Sequence, residues 1–299
     1  MGGNLFKKSI RISKKEYSRI VEYFLTNTIN FFGILDTSIE APWKEDYGDV
    51  DFLYYQEGSI DWDELKNIAP YTEISVNGPT TSILFEGKYH LDFKKTKSME
   101  YLKWLDSYGG IHNIIGSSMK KQSMKLSTTG IYYQNDTIKI HLTNDFTMIL
   151  KFLDLDYEKF KKGFNTREEL FKYILSCPLV SISSANKKMK RNFKRPVFVD
   201  FFDYIDSRKI TFNPTMYNPI EIMTFFGKLK EYNMILEEIR INKKIKKYFN
   251  GKYISEFTGK SGFGLGVFMK KLRKHPEHRK IFLSHDVNKI NNHISLSLK

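Results

Sequence analysis

The chain has 299 residues, 41% of them hydrophobic, so it is long enough to bury a sizeable core and to form two domains. Lys and Arg number 48 against 34 Asp and Glu, and the net charge of +14 favours a polyanionic partner such as nucleic acid or a nucleotide. Cys177 is the only cysteine, which excludes an internal disulfide framework and a cysteine-based zinc site and is typical of a reducing compartment.

The sequence shows no targeting or membrane segment. Its N-terminal residues lack the apolar region of a secretory signal, and Phe6 occupies the position where a myristoylation signal has Ser or Thr. No apolar run is long enough to span a bilayer. We therefore predict a cytoplasmic protein without membrane association, with the nucleus or a viral factory as alternatives.

The first predicted element is an amphipathic helix. Ser13 and Glu16 have the spacing of a capping box, and apolar residues recur at helical intervals as far as Asn27. Residues 29–35 form an apolar stretch, and polar residues 42–46 form a loop before the next strand.

Residues 47–55 predict a strand that carries two carboxylates on one face. Because successive side chains of a strand point to opposite sides, Asp49 and Asp51 project together behind the glycine at position 48. Two such carboxylates repel each other unless a cation lies between them, and Mg²⁺ prefers carboxylate oxygens together with substrate phosphates. The alternative interpretation is a turn aspartate followed by a solvated aspartate on an edge strand.

A third aspartate lies on a later predicted strand. Residues 81–85 and 88–93 have the pattern of a hairpin with a short glycine-containing turn. Asp92 stands between two apolar residues of the second strand, and a buried carboxylate without a partner is costly. A metal or another cation is therefore favoured as the partner of Asp92.

The order Asp-x-Asp followed by Asp resembles the nucleotidyltransferase superfamily of polymerase beta-like folds. The motif of that family is a glycine-bearing helix start, a strand with Asp-x-Asp and a third Asp on a neighbouring strand, and it matches Asp49, Asp51 and Asp92. The likeness extends to uncharacterised phage, giant-virus and fungal members, and it covers roughly residues 15–200. The other matching segments are Lys44-Glu45-Asp46-Tyr47-Gly48, residues 107–116, residues 152–156 and residues 163–166.

The resemblance implies metal-assisted phosphoryl transfer. Asp49 and Asp51 would bind a nucleotide-bound Mg²⁺ or Mn²⁺, and the same pair with Asp92 would bind a second ion beside the attacking hydroxyl. Members of the superfamily usually have Gly-Ser or Gly-Gly where the triphosphate meets backbone amides, whereas this chain has Thr-Ser at 37–38. The nucleotide-binding residues that the resemblance implies are Thr37, Ser38, Lys44 and Gly48.

The middle of the chain contains further predicted elements and a basic run. Residues 130–133 and 137–142 predict another hairpin, helices are predicted over residues 144–153 and 166–175, and residues 178–186 predict a linker. The basic run that follows is either a solvated helix face or a track for a phosphate backbone. Its predicted nucleic-acid contacts are Lys187, Lys188, Lys190, Arg191, Lys194 and Arg195.

The remainder is predicted to be mostly helical, with helices over residues 218–232 and 233–249. The glycine-rich residues 250–272 lack the first glycine of a P-loop and the spacing of a dinucleotide fingerprint. They resemble the C-terminal element of tRNA CCA-adding nucleotidyltransferases, in which a glycine turn opens a helix. Amides and lysines there would contact a nucleic-acid backbone, with Lys270 and Lys271 as the predicted residues.

The sequence thus predicts an α+β protein with a nucleotidyltransferase palm, a mixed sheet with helices on one face, over residues 1–150. A mainly helical, basic domain over residues 151–299 would bind the acceptor. The predicted function is metal-dependent transfer of a nucleotide from an NTP to a hydroxyl, with a tRNA-like or other RNA 3′ end as the favoured acceptor. Two alternatives are a degenerate fold that only binds nucleic acid or a protein partner, and a transferase that modifies a protein or a small molecule. The preferred NTP and the oligomeric state do not follow from the sequence.

Overall fold

The computed structural model describes residues 5–181, 195–284 and 286–298. The chain forms two compact units, Met1–Phe226 and Gly227–Lys299. The predicted division after residue 150 falls inside a helix of the first unit. Later residues belong to this unit because they complete its core, as Tyr173 does by contacting His112.

A five-stranded mixed sheet organises the first unit, in the order β2-β4-β7-β6-β5. Within this sheet the adjacent strands β4 and β7 run parallel, and the other adjacent pairs are antiparallel. A pair β1-β3 and a three-stranded sheet β10-β9-β8 complete the strands of the described residues. The strands are β1 Ile12–Ser13, β2 Ile34–Thr37, β3 Asp46–Tyr47, β4 Val50–Tyr55, β5 Tyr71–Asn77, β6 Thr80–Phe85, β7 Tyr89–Lys95, β8 Met124–Ser127, β9 Gly130–Gln134 and β10 Lys139–Thr143.

Helices make up most of the rest of the first unit. They are α1 Lys14–Asn27, α2 Ile29–Phe32, α3 Trp62–Ile68, α4 Met99–Gly110, α5 Asn113–Met119, α6 Phe146–Leu153, α7 Tyr157–Lys162, α8 Arg167–Ser176, α9 Pro196–Arg208 and α10 Pro219–Phe225. The predicted cap at Ser13 is confirmed, because the Ser13 side chain accepts a hydrogen bond from the amide of Glu16, but the Glu16 carboxylate accepts from Arg19 instead of completing a capping box. Asp145 and Thr166 cap α6 and α8 in the same way.

One face of the five-stranded sheet is an aromatic core. Phe32 and Phe52 each stack on Phe93 with ring centroids 5.0 Å apart, and Phe24 of α1 packs against the same group. Burial of such rings is the main favourable contribution to folding, at roughly 25 cal/mol per Å² of apolar surface. Helices α1 and α2 therefore cover this face of the sheet.

The opposite face of the sheet is polar. Asp51 of β4 and Asp92 of β7 alternate with the buried aromatic residues, so their side chains point away from the aromatic core. Helix α4 packs against β4 on this polar side.

The second unit is helical and has its own core. Its helices are α11 Leu229–Lys246, α12 Gly251–Thr258, α13 Gly262–Lys274, α14 His278–Leu283 and α15 Val287–Leu298. Its buried core residues are Ile245, Phe249, Ile254, Phe268, Leu272, Phe282, Ile290 and Ile294. The predicted α+β class with a mixed sheet and a helical C-terminal region is confirmed.

The predicted break between helices at residues 232 and 233 is wrong. Helix α11 continues through both positions, and the chain instead breaks at Gly227, where φ is +65°. Glycine adopts this left-handed conformation at low cost and so ends helices readily. None of the helices in the described residues is long and apolar enough to cross a membrane.

Histidine 112 makes the stability of the first unit dependent on pH. The buried imidazole contacts Trp104, with ring centroids 4.3 Å apart, and neither nitrogen has a hydrogen-bond partner among the described residues. Burial lowers the pKa of His112 to about 3, from an ordinary value of 6.5. Below pH 6.5 the unfolded chain therefore binds more protons than the folded chain, and the free energy of unfolding falls as the pH falls.

We expect the free energy of unfolding of the first unit to drop by about 2 kcal/mol from pH 7.5 to pH 5 because of this histidine. The variant His112→Leu should lose most of that dependence. Urea unfolding followed by tryptophan fluorescence reports on this unit, since Trp43, Trp62 and Trp104 all lie in it. The same pH dependence in His112→Leu would contradict the assignment.

Candidate metal centre

Three carboxylates meet at the polar face of the sheet. Asp49 immediately precedes β4 and Asp51 lies within it, while Asp92 lies opposite Asp51 in the parallel register of β4 and β7. One carboxylate oxygen from each residue lies within 4.8 Å of the other two, and all three residues are half-buried. The parallel pairing of the two strands therefore assembles the cluster.

The charges of the cluster oppose one another. Burial raises the pKa of Asp49 to about 6, and the negative charges of Asp51 and Asp92 contribute to the same shift. A cation placed among the three carboxylates would remove this cost. Carboxylate oxygens at this spacing are the ligands that Mg²⁺ and Mn²⁺ prefer, so the residues present fit a divalent metal.

Two neighbouring side chains hold Asp92 in place. The Ser82 hydroxyl of β6 donates to the Asp92 carboxylate at 2.5 Å, and Nε2 of His90 lies 2.9 Å from the same oxygen. Burial by itself would raise the pKa of Asp92, but the hydrogen bonds from His90 and Ser82 outweigh it and lower that pKa. Asp92 is thus kept ionised and oriented.

A half-buried lysine provides the positive charge beside the cluster. Lys94 Nζ lies 3.0 Å from Oδ1 of Asp51 and 2.8 Å from Oδ2 of Asp106, which belongs to α4. Burial alone would lower the pKa of Lys94, but the charges of Asp51 and Asp106 outweigh it and raise that pKa. The ammonium group therefore bridges the sheet and α4.

Sequence reasoning missed Lys94 and Asp106. The signal for Lys94 was available, because a residue two positions after Asp92 on a strand points to the same face. Nothing local marks Asp106 as its partner, since it lies on a helix after the strand.

A strained turn supports the loop that follows β2. Residues 108–110 at the end of α4 have φ between 54° and 71°, in the left-handed region. The turn makes two hydrogen bonds to Ile39. The amide of Tyr108 donates to the carbonyl of Ile39 at 2.8 Å, and the amide of Ile39 donates to the Ser107 hydroxyl at 2.9 Å. Left-handed conformations of non-glycine residues persist only where the surroundings enforce them.

Ser38 contacts the backbone of Asp51. Its amide donates to the carbonyl of Asp51 at 3.4 Å, and its buried hydroxyl has no hydrogen-bond partner among the described residues. The hydroxyl of Tyr17 is also buried without a hydrogen-bond partner among the described residues. Burial raises the pKa of Tyr17, and the negative charges of Glu40, Asp51 and nearby groups raise it further.

No protein-family model matches this sequence, and no curated protein matches it. Two crystal structures of polymerase beta from Leishmania infantum are similar to part of the chain, one a ternary P/T complex and the other a ternary gap complex. Both share 11% sequence identity with it and align with a TM-score of 0.32. The alignment covers 43% of this chain and 60% of the polymerase in the first case, and 50% and 56% in the second. This chain therefore spans less than two thirds of the length of either polymerase.

The four predicted nucleotide-binding residues differ in how they are connected to the three aspartates. Ser38 and Gly48 adjoin the carboxylates through the backbone, and Thr37 ends β2, where its amide donates to the side chain of Asp36 at 2.8 Å. Lys44 forms an ion pair with Glu40. In the part of the chain that the structure describes, no ion pair joins Lys44 to the three aspartates.

Most of the predicted nucleic-acid contacts of the middle region, Lys187 to Lys194, lie outside the described residues. Arg195 is described, and its guanidinium donates to the carbonyl of Gly109 at 2.7 Å. In the second unit, Lys271 donates to the carbonyl of Ser297 at 2.8 Å, whereas Lys270 is exposed.

The support of Asp92 leads to a prediction on metal affinity. We expect Ser82→Ala and His90→Asn each to weaken Mn²⁺ binding by roughly 10- to 100-fold, because residues that orient a ligand have effects of this size. Ser75→Ala is the matched control, since Ser75 pairs with Ser82 in register but lies on β5, which β6 separates from Asp92 on β7. Isothermal calorimetry measures the affinities. Equal weakening in the control would show that the effect comes from the sheet and not from Asp92.

Proposed function

We propose that this protein is a metal-dependent nucleotidyltransferase that transfers a nucleotide from an NTP to a hydroxyl of an RNA. The observation that carries the proposal is the cluster of Asp49, Asp51 and Asp92, in which Asp51 and Asp92 lie on two parallel strands and Asp49 immediately precedes the first, with carboxylate oxygens within 4.8 Å of one another. Three converging carboxylates at a half-buried position suit phosphoryl transfer, in which catalysis consists mainly of positioning and charge stabilisation.

The roles of the chain's residues follow from their places in the cluster. Asp49 and Asp51 would hold Mg²⁺ or Mn²⁺ at the triphosphate, and Asp92 would complete the ligand set on the side of the acceptor hydroxyl. When bound, the divalent ion supplies positive charge for the entering and leaving oxygens. We assign Ser38 to the triphosphate as well, because its buried hydroxyl has no hydrogen-bond partner among the described residues and its amide contacts the backbone of Asp51.

The charge distribution supports a nucleic-acid acceptor. Residues 227–299 contain 17 Lys and Arg and 6 Asp and Glu, so the second unit carries +11 of the net charge of +14. A basic unit of this charge fits a polyanionic acceptor better than a small molecule.

One observation favours a second candidate, a protein that binds nucleic acid without transferring a nucleotide. The ammonium group of Lys94 lies 3.0 Å from Asp51 and already neutralises part of the cluster. In that case the three aspartates would be dispensable for every activity of the protein.

A label-transfer assay separates the two candidates. Purified protein is incubated with each labelled NTP, Mg²⁺ or Mn²⁺ and a pool of RNAs, and incorporation is read on a gel. Transfer by the natural protein and none by Asp49→Asn/Asp51→Asn supports the proposal. Paramagnetic broadening by Mn²⁺ gives a second readout, and equal binding by the double variant would remove the carboxylate cluster from the mechanism.

A further inference from the structure

Helix α13 of the second unit has two unlike faces. Phe268 and Leu272 are buried in the core of the unit. On the outside, Phe263 is 89% exposed and Val267 is 53% exposed. These two residues and the exposed lysines Lys270 and Lys274 follow one another at helical spacing, so they form a single stripe on the outer face. We call these four residues the α13 stripe.

The charges of the α13 stripe are available to a ligand. In the described residues, neither Lys270 nor Lys274 forms an ion pair, although other exposed lysines of the unit do, such as Lys289 with Asp286. The glycines at positions 264 and 266 leave open space beside the stripe, because, apart from the adjacent residues and the helix's own backbone, no atom lies within 4 Å of where their Cβ atoms would be. A ligand can therefore approach the backbone next to Phe263.

We propose that the α13 stripe binds single-stranded nucleic acid, with Phe263 stacking on a base and Lys270 and Lys274 contacting phosphates. The inference rests on the proposed function, since it assigns a place to the acceptor. An exposed aromatic ring next to unpaired lysines is the combination that single-stranded nucleic acid recognises, because every base has a face that stacks and every nucleotide carries a negative charge.

An anionic membrane is the competing occupant, and the structure disfavours it. Helices that lie in a membrane surface bury a broad apolar face in the lipid. The apolar face of α13 is already buried against the second unit, and the outer face offers only Phe263 and Val267 before the lysines begin. A duplex is also disfavoured, since its bases are stacked and cannot reach Phe263.

The test measures binding of labelled oligouridylate, oligothymidylate, an RNA duplex and vesicles containing phosphatidylserine, without NTP or metal. We expect Phe263→Ala to weaken single-strand binding about 10-fold. Phe263→Leu should weaken it nearly as much, because leucine keeps the apolar bulk but cannot stack. Comparison of the two oligonucleotides shows whether the sugar matters.

The lysines are tested by the salt dependence of binding. Lys270→Gln/Lys274→Gln should reduce the slope of log K against log salt by about 0.7 for each lost contact. Lys252→Gln/Lys289→Gln is the matched control, because both of those lysines are exposed but paired with Glu256 and Asp286, and it should change the slope less.

Three outcomes would overturn the proposal. They are unchanged binding by Phe263→Ala, retained binding by Phe263→Leu, and tighter binding to duplex or vesicles than to single strands. The variant Asp49→Asn/Asp51→Asn should bind oligonucleotides normally. If that variant loses transfer but still binds oligonucleotides, this inference stands. If only the α13 stripe variants lose oligonucleotide binding, the assignment of the aspartates stands.

Discussion

Replacing Asp92 with alanine is expected to abolish nucleotide transfer while leaving the fold intact. Asp92 is half-buried, ionised and fixed by Ser82 and His90, and one of its carboxylate oxygens lies within 4.8 Å of those of Asp49 and Asp51. Its removal should reduce the transfer rate by at least roughly 10³-fold, equivalent to about 4 kcal/mol of transition-state stabilisation. Binding of the NTP should change much less, because Asp49 and Asp51 remain.

The label-transfer assay measures the loss of transfer, and a urea unfolding curve shows whether the fold is intact. Asp136→Ala is the control, since Asp136 is an exposed turn residue between β9 and β10. If Asp92→Ala turned over at the natural rate, the third carboxylate would have no part in the reaction. If it unfolded, Asp92→Asn would replace it, because asparagine keeps the shape and can still accept a hydrogen bond from Ser82.

Replacing Lys94 with methionine is expected to destabilise the metal-free protein by about 3 kcal/mol. Methionine fills a similar volume, but it leaves Asp51 and Asp106 as half-buried carboxylates without a partner. The loss of the ammonium group should also make the cluster more negative. Saturating Mn²⁺ should therefore raise the stability of Lys94→Met more than that of the natural protein, because binding to the folded state adds to its stability.

Lys103→Met is the matched control for this prediction. Lys103 pairs with Asp36 at 2.6 Å on the same side of the molecule, but that pair is more exposed, and its loss should cost less than about 1 kcal/mol. Urea unfolding with tryptophan fluorescence compares the two variants with and without Mn²⁺. Equal stabilities of Lys94→Met and the natural protein would mean that Lys94 is not the counter-charge of the cluster.

The sequence by itself determined the features that depend on near neighbours. The helix caps at Ser13, Asp145 and Thr166 follow from side chains that reach an amide three residues away. The alternation of Asp49 and Asp51 with apolar residues places both carboxylates on one face, because the side-chain period of a strand is two. The α+β class and the hairpins β6-β7 and β9-β10 follow from the same short-range patterns.

Tertiary structure decided which distant residues meet. The parallel register sets Asp51 opposite Asp92, and no pattern within either strand specifies that offset. The pairing of Lys94 with Asp106 depends on how α4 crosses the sheet, and the Gly227 break depends on which helices complete the first core. Such contacts cannot be predicted from local propensity, because their free energy comes from burial and charge between segments that only the folded chain brings together.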